Sequence, residues 1–106
     1  MDNPKDEIFN KRIQDKIYTL FSTMAYPVRI RILNLLSTGK YTVMEIAEQM
    51  DMTQSAVSHQ LKLLRESNLV KFVKVGNKKY YELADEHIYE IYRLAVEHVK
   101  EEMNYE

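Results

Sequence analysis

The chain has no cysteine and no tryptophan, and only two glycines and two prolines in 106 residues. Without cysteine there is no disulfide, thiolate metal site, iron–sulfur cluster, cysteine nucleophile or thiol redox switch. Two glycines leave no room for a phosphate-cradling loop of the G-x-G-x-x-G or G-x-x-x-x-G-K-[ST] kind. No window approaches 18 apolar residues, and the opening Met-Asp-Asn-Pro-Lys-Asp has no apolar signal region. A cytoplasmic chain without a membrane partner is therefore expected. Its length fits one domain over residues 1–106, with a modest core that a subunit partner would help to stabilise.

Charge is scarce in sum but not in distribution. The net value of −1 conceals a middle, residues 53–81, with six basic side chains (Lys62, Arg65, Lys71, Lys74, Lys78, Lys79) against Glu66, or +5. Residues 82–106 carry eight acids against Arg93 and Lys100, or −6. A basic middle suits a polyanion, and an acidic end suits a surface that stays clear of it. Charge alone would read the same for two solvated faces of opposite sign.

Ile8, Phe9, Ile13, Ile17, Leu20 and Phe21 recur at helical spacing and predict a first amphipathic helix over residues 5–22. Pro27 sits well in the first turn of a second helix, dense in apolar residues, which Ser37-Thr38-Gly39-Lys40 stops. Thr42 and Glu45 form a capping box ahead of a short third helix ending at Met50. Asp51 and Met52 make a tight corner. Thr53 then caps a fourth helix, to about Glu66, with Val57, Leu61 and Leu64 inward. Short helix, tight turn and longer helix predict a helix-turn-helix. Residues 69–75 and 78–83 are β-rich runs about a Gly76-Asn77 turn, and residues 85–102 return to helix. The fold expected is mainly α with a β-hairpin wing, a winged helix-turn-helix of order ααααββα.

With the Val57, Leu61 and Leu64 stripe inward, Ser55, Ser58, His59, Lys62 and Glu66 share the outer face. Thr53, Gln54 and Ser55 lie at the start of the helix, where a recognition helix meets base edges. Gln54 can pair bidentately with adenine, and a serine can donate or accept at any base. Lys62 and the wing lysines Lys74, Lys78 and Lys79 suit phosphates of double-stranded DNA. His59 shares this face, where it either touches phosphate or base or is simply solvated; a lone histidine is not a metal site.

The closing helix holds Asp85, His87, His98 and Glu101, in the pattern Asp-x-His-x10-His-x-x-Glu. Three helical turns, about 16 Å, separate the two histidines on one face, so a single chain cannot close all four groups on one ion. Two antiparallel copies can, pairing Asp85 and His87 of one chain with His98 and Glu101 of the other. His87, Ile91, Leu94, His98 and Glu101 follow a 4-3-4-3 seam consistent with that pairing. Two imidazoles and two carboxylates suit Zn(II), with Co(II) as its close mimic. The plain alternatives are that Asp85 is only a helix cap and Glu101 only an exposed acid.

The segment Thr53-Gln-Ser-Ala-Val-Ser-His-Gln-Leu-Lys-Leu-Leu64, the Gly76-Asn77 wing and the closing Asp-x-His-x10-His-x-x-Glu resemble the ArsR–SmtB family of metal-responsive repressors. The likeness runs from about Ile13 to Glu101, and the closing pattern is similar to the family's zinc-sensing branch. It implies a homodimer, joined through its first and last helices, that binds a palindromic operator without metal. It also implies intersubunit zinc ligation by Asp85, His87, His98 and Glu101, with release of DNA and of metal-homeostasis genes. The missing cysteines depart from relatives that sense softer metals. A hydrogen bond from a ligand histidine to backbone near Ser67 and Asn68 is the expected relay. Two rivals stand beside this reading. A zinc hydrolase is the weaker, since four protein ligands leave no open position for water. The nearer is a winged-helix regulator whose last helix only dimerises and whose signal is not a metal.

Overall fold

Helix α1, Lys11–Met24, begins where the Asn10 side chain accepts hydrogen bonds from the backbone N–H groups of Arg12 and Ile13 at 2.9 and 3.2 Å. The structure, a computed structural model, describes residues 10–104. The expected start at residue 5, with Ile8 and Phe9, lies outside the described residues. At the other end α1 runs two residues past the expected position 22. Nothing in Thr23 or Met24 stops it, and the chain turns extended only at Tyr26, as a residue before proline does.

Four further helices and a hairpin follow among the described residues. These are α2 (Pro27–Leu36), α3 (Val43–Met50), α4 (Gln54–Glu66), β1 (Val70–Val75), β2 (Lys78–Leu83) and α5 (Glu86–Glu102). This is the expected ααααββα order. Pro27 opens α2, and the capping box of α3 is complete: Thr42 Oγ1 accepts from Glu45 N–H, and Glu45 Oε1 accepts from Thr42 N–H at 2.8 Å. Asp51 turns the corner in the left-handed region at φ 54°. The Met52 N–H closes α3 on the Ala47 carbonyl at 3.0 Å.

The strands pair antiparallel from Val70 opposite Leu83 to Val75 opposite Lys78. That register leaves a two-residue turn in which Gly76 takes φ 65°. Among the two central positions only Gly76 has positive φ, as a II′ hairpin turn requires. A bridge between Tyr41 and Tyr81, with backbone hydrogen bonds of 3.0 and 2.7 Å, ties the hairpin to the start of α3.

The core lies where α2, α3 and α4 meet the hairpin: Ile32, Leu33, Ile46, Val57, Leu61, Leu64 and Leu69 are almost fully buried. The outer helices are different. No residue of α1 is buried, and in α5 only Ile88 is. The α1 stripe splits. Leu20 and Met24 reach the core, while Ile13, Ile17 and Phe21 stay exposed. On α5, Leu94 and Val99 are exposed. Phe21, Met24, Ile30, Ile91 and Ala95 line an apolar groove where α1 and α5 meet the start of α2.

Candidate nucleic-acid interface and metal ligands

Helix α4 stands out from the core because Val57, Leu61 and Leu64 anchor one side of it. Thr53 caps it, its Oγ1 accepting from Ala56 N–H at 3.1 Å. Thr53, Gln54, Ser55, Ser58, His59 and Lys62 are all exposed, as the spacing predicts. On the wing, Lys74, Lys78 and Lys79 are exposed too, and Lys74 faces Lys79 directly across the strands. Like charges opposite one another weaken a strand pair.

Residues outside the expected set hold α4 in place. Arg29 of α2 donates from Nε to Gln60 Oε1 at 3.0 Å and from Nη1 to the Thr23 carbonyl at 3.0 Å. Its guanidinium also covers the Tyr26 ring, 4.2 Å from the centroid. Thr23 Oγ1 lies 3.1 Å from Ser67 Oγ at the C-terminal end of α4. Two links therefore join α1 and α2 to α4. On the other flank Arg65 lies over Phe72 of the wing. The partners are separated by up to 44 residues in sequence. No local spacing announces them, although Arg65 contributes to the basic middle.

The four candidate ligands all belong to α5 and its cap. Asp85 Oδ1 accepts from Ile88 N–H at 3.0 Å, capping the helix, and lies 3.7 Å from His87 Nδ1. The His87 and His98 side chains are 92% and 76% exposed. His98 Nε2 approaches Glu102 at 3.9 Å; Glu101, one residue earlier, is exposed. Among the described residues of one chain, no three such side chains gather closely enough to hold an ion. This accords with the helical spacing, which sets the two histidines three turns apart. The donor set nonetheless fits a borderline divalent cation. Both imidazoles are open, and each makes only a long contact to a carboxylate of the same helix or its cap. At the C-terminal end of α4, where a relay from a ligand histidine is expected to meet the backbone of Ser67 and Asn68, the Ser67 hydroxyl pairs with Thr23.

The family model described as bacterial regulatory protein, arsR family, matches residues 26–71. The HTH-type transcriptional regulator NmtR of Mycobacterium tuberculosis is 36% identical over 83 residues, 78% of this chain and 69% of that protein. The chain belongs to the ArsR family. A transcriptional repressor SmtB homolog of Synechocystis is 42% identical over 81 residues, 76% of this chain. The match spans 61% of that relative's own length. The solution structure of apo-NmtR superimposes with a TM-score of 0.78 at 31% identity, covering 95% of this chain and 82% of that one. This ArsR chain thus has the winged-helix fold of its relatives, which are transcriptional regulators rather than enzymes. No helix among the described residues is long and apolar enough to cross a membrane.

Proposed function

We propose that this ArsR-family chain is a cytoplasmic, homodimeric transcriptional repressor, a single unit over residues 1–106, whose hold on DNA is relieved by Zn(II) or Co(II). One observation carries the reading. Helix α5 presents donor pairs, Asp85 with His87 and His98 with Glu101, at the two ends of an apolar face that one protomer leaves uncovered. An antiparallel copy of α5 covers that face and brings each pair to its complement, giving two equivalent sites per dimer. The relatives named as an SmtB homolog and NmtR support a metal-sensing regulator, and the oxygen- and nitrogen-only donor set favours zinc among the metals.

Double-stranded operator DNA is the partner of the other face. Gln54, Ser55, Ser58 and His59 meet bases in the major groove, with Thr53 at the helix start. Lys62, Lys74, Lys78 and Lys79 neutralise phosphates. Two copies related by a dyad call for a palindromic site with half-sites one helical turn apart. Asp85, His87, His98 and Glu101 would hold the metal and so tie the two α5 helices together; α1 lies beside α5, and its links to α4 through Arg29 and Thr23 set where the recognition helices stand. Linkage requires metal and DNA to weaken each other by the same factor.

The reading in which α5 only dimerises has its own observation: Asp85 already serves as a helix cap. Fluorescence anisotropy on DNA from upstream of the coding sequence, at fixed salt, separates the two. One Zn(II) per subunit is expected to weaken binding at least tenfold, a coupling of about 1.4 kcal/mol or more. Unchanged affinity with zinc bound would leave α5 as a dimerisation helix with another signal, and no DNA binding in either state would overturn the reading altogether.

A further inference from the structure

At the junction of the recognition helix and the wing, two cations share one aromatic ring. Phe72 of β1 is half-buried against Tyr81, ring centroids 5.5 Å apart. Arg65, in the last turn of α4, sets Cζ 4.7 Å from the Phe72 centroid, and Lys79 of β2 sets Nζ 4.7 Å from the same point. Their charged groups are therefore less than about 10 Å apart although they come from different elements. Neither pairs with a carboxylate among the described residues, even though Glu66 follows Arg65 in sequence. Lys62, Arg65 and Glu66 border one surface notch, without an ion pair between Arg65 and Glu66.

Like charges brought together without forming an ion pair repel, and a ring face returns only about 0.5–1 kcal/mol for each at an exposed site. The cluster is complete when an anion supplies the missing charge. A DNA strand presents one phosphate every ~3.4 Å of axis, so neighbouring phosphates of one strand lie within reach of both cations. We infer that Arg65, Phe72 and Lys79 form a phosphodiester site for the DNA backbone between recognition helix and wing. The ring holds both cations in place before DNA arrives, so less side-chain freedom is lost on binding. This deepens the DNA-binding reading and rests on it.

The test is the salt dependence of binding by the full-length, metal-free protein to a mixed-sequence duplex, followed by anisotropy. Each phosphate neutralised contributes about 0.9 to the slope of log K against log salt. Arg65→Gln is expected to make the slope shallower by roughly 1.8 per dimer, one contact from each subunit. Arg65→Lys keeps the wild-type slope, and Lys16→Gln, an exposed charge on α1, leaves it unchanged. Phe72→Leu keeps the slope but loses at least about twofold in affinity, since neither Arg65 nor Lys79 is then held in place before DNA arrives. A wild-type slope in Arg65→Gln, or an equal fall in Lys16→Gln, would overturn the site while leaving DNA binding intact. Full affinity in a folded Phe72→Leu protein would remove the ring's part. If that variant does not fold, the Arg65 pair of variants still decides. Absence of binding by the wild-type protein would instead bring down the DNA-binding reading itself.

Discussion

Asp85 meets two demands at one position. Its carboxylate caps α5 through the Ile88 N–H, and it stands in the proposed metal set beside His87. The two roles separate by substitution, because asparagine caps a helix about as well as aspartate and alanine does not. Asp85→Asn is expected to keep thermal stability while weakening zinc in a competition titration with a chromogenic chelator. Asp85→Ala is expected to lose about 1 kcal/mol of stability as well. If both variants bind zinc as the wild type does, the carboxylate is a cap and nothing more. Caps of this kind were legible in the sequence. Thr42 with Glu45, Thr53 and Asp85 all satisfy N–H groups within three residues of themselves. A bond that local depends on spacing and side-chain chemistry, both of which can be read directly.

Helix α4 is gripped on two flanks. One holds Arg65 against Phe72, and the other holds Gln60 against Arg29 and Ser67 against Thr23. Gln60→Leu leaves the half-buried Arg29 Nε without its acceptor and is expected to cost about 1 kcal/mol in urea unfolding, since a donor stranded away from water loses its hydrogen bond outright. DNA affinity should fall alongside, because α4 is then less firmly placed relative to α1. An unfolding midpoint equal to the wild type would show that the bond contributes nothing. On α5, Arg93 bonds to Glu90 and also pairs with Glu97 on the next turn. The guanidinium holds Glu90 below the usual carboxylate range. A pKa depressed by folding gives stability that is complete above the unfolded value, near 4.3, and is lost as pH falls through the folded value. Melting curves taken through that acid window should show a shallower loss for Glu90→Gln. The effect will be small because the group is exposed to solvent.

The protomer as a whole is lopsided, with its core under α2, α3, α4 and the hairpin and two outer helices that bury one residue between them. Leu94, 54% exposed, stands in the middle of the uncovered α5 face. Leu94→Glu is therefore expected to leave the protomer folded, since no core contact is lost, and to produce a monomer in sedimentation equilibrium. The monomer should bind DNA far more weakly, with one recognition helix per particle instead of two. A folded Leu94→Glu protein that remains dimeric would place the subunit contact elsewhere. The sequence showed the amphipathic character of α1 but not its division of labour: Leu20 and Met24 turn inward while Ile13, Ile17 and Phe21 face outward. Both groups fit one helical stripe, and periodicity does not tell which neighbour each half will meet.

Much of this protein is decided over short distances along the chain. The missing cysteines exclude sulfur chemistry, the apolar periods set five helices, and caps and the Gly76 turn mark where elements begin and end. The three-turn spacing of His87 and His98 already ruled out a metal site closed by one chain. Each of these features spans at most a few turns, so spacing and residue type suffice. Tertiary structure decided the rest: the Arg29 and Thr23 links to α4, the Tyr41–Tyr81 bridge, and the meeting of Arg65 and Lys79 on Phe72. These contacts join residues from separate elements. Their geometry follows from how the helices and hairpin pack on the core, which no local pattern of residues contains.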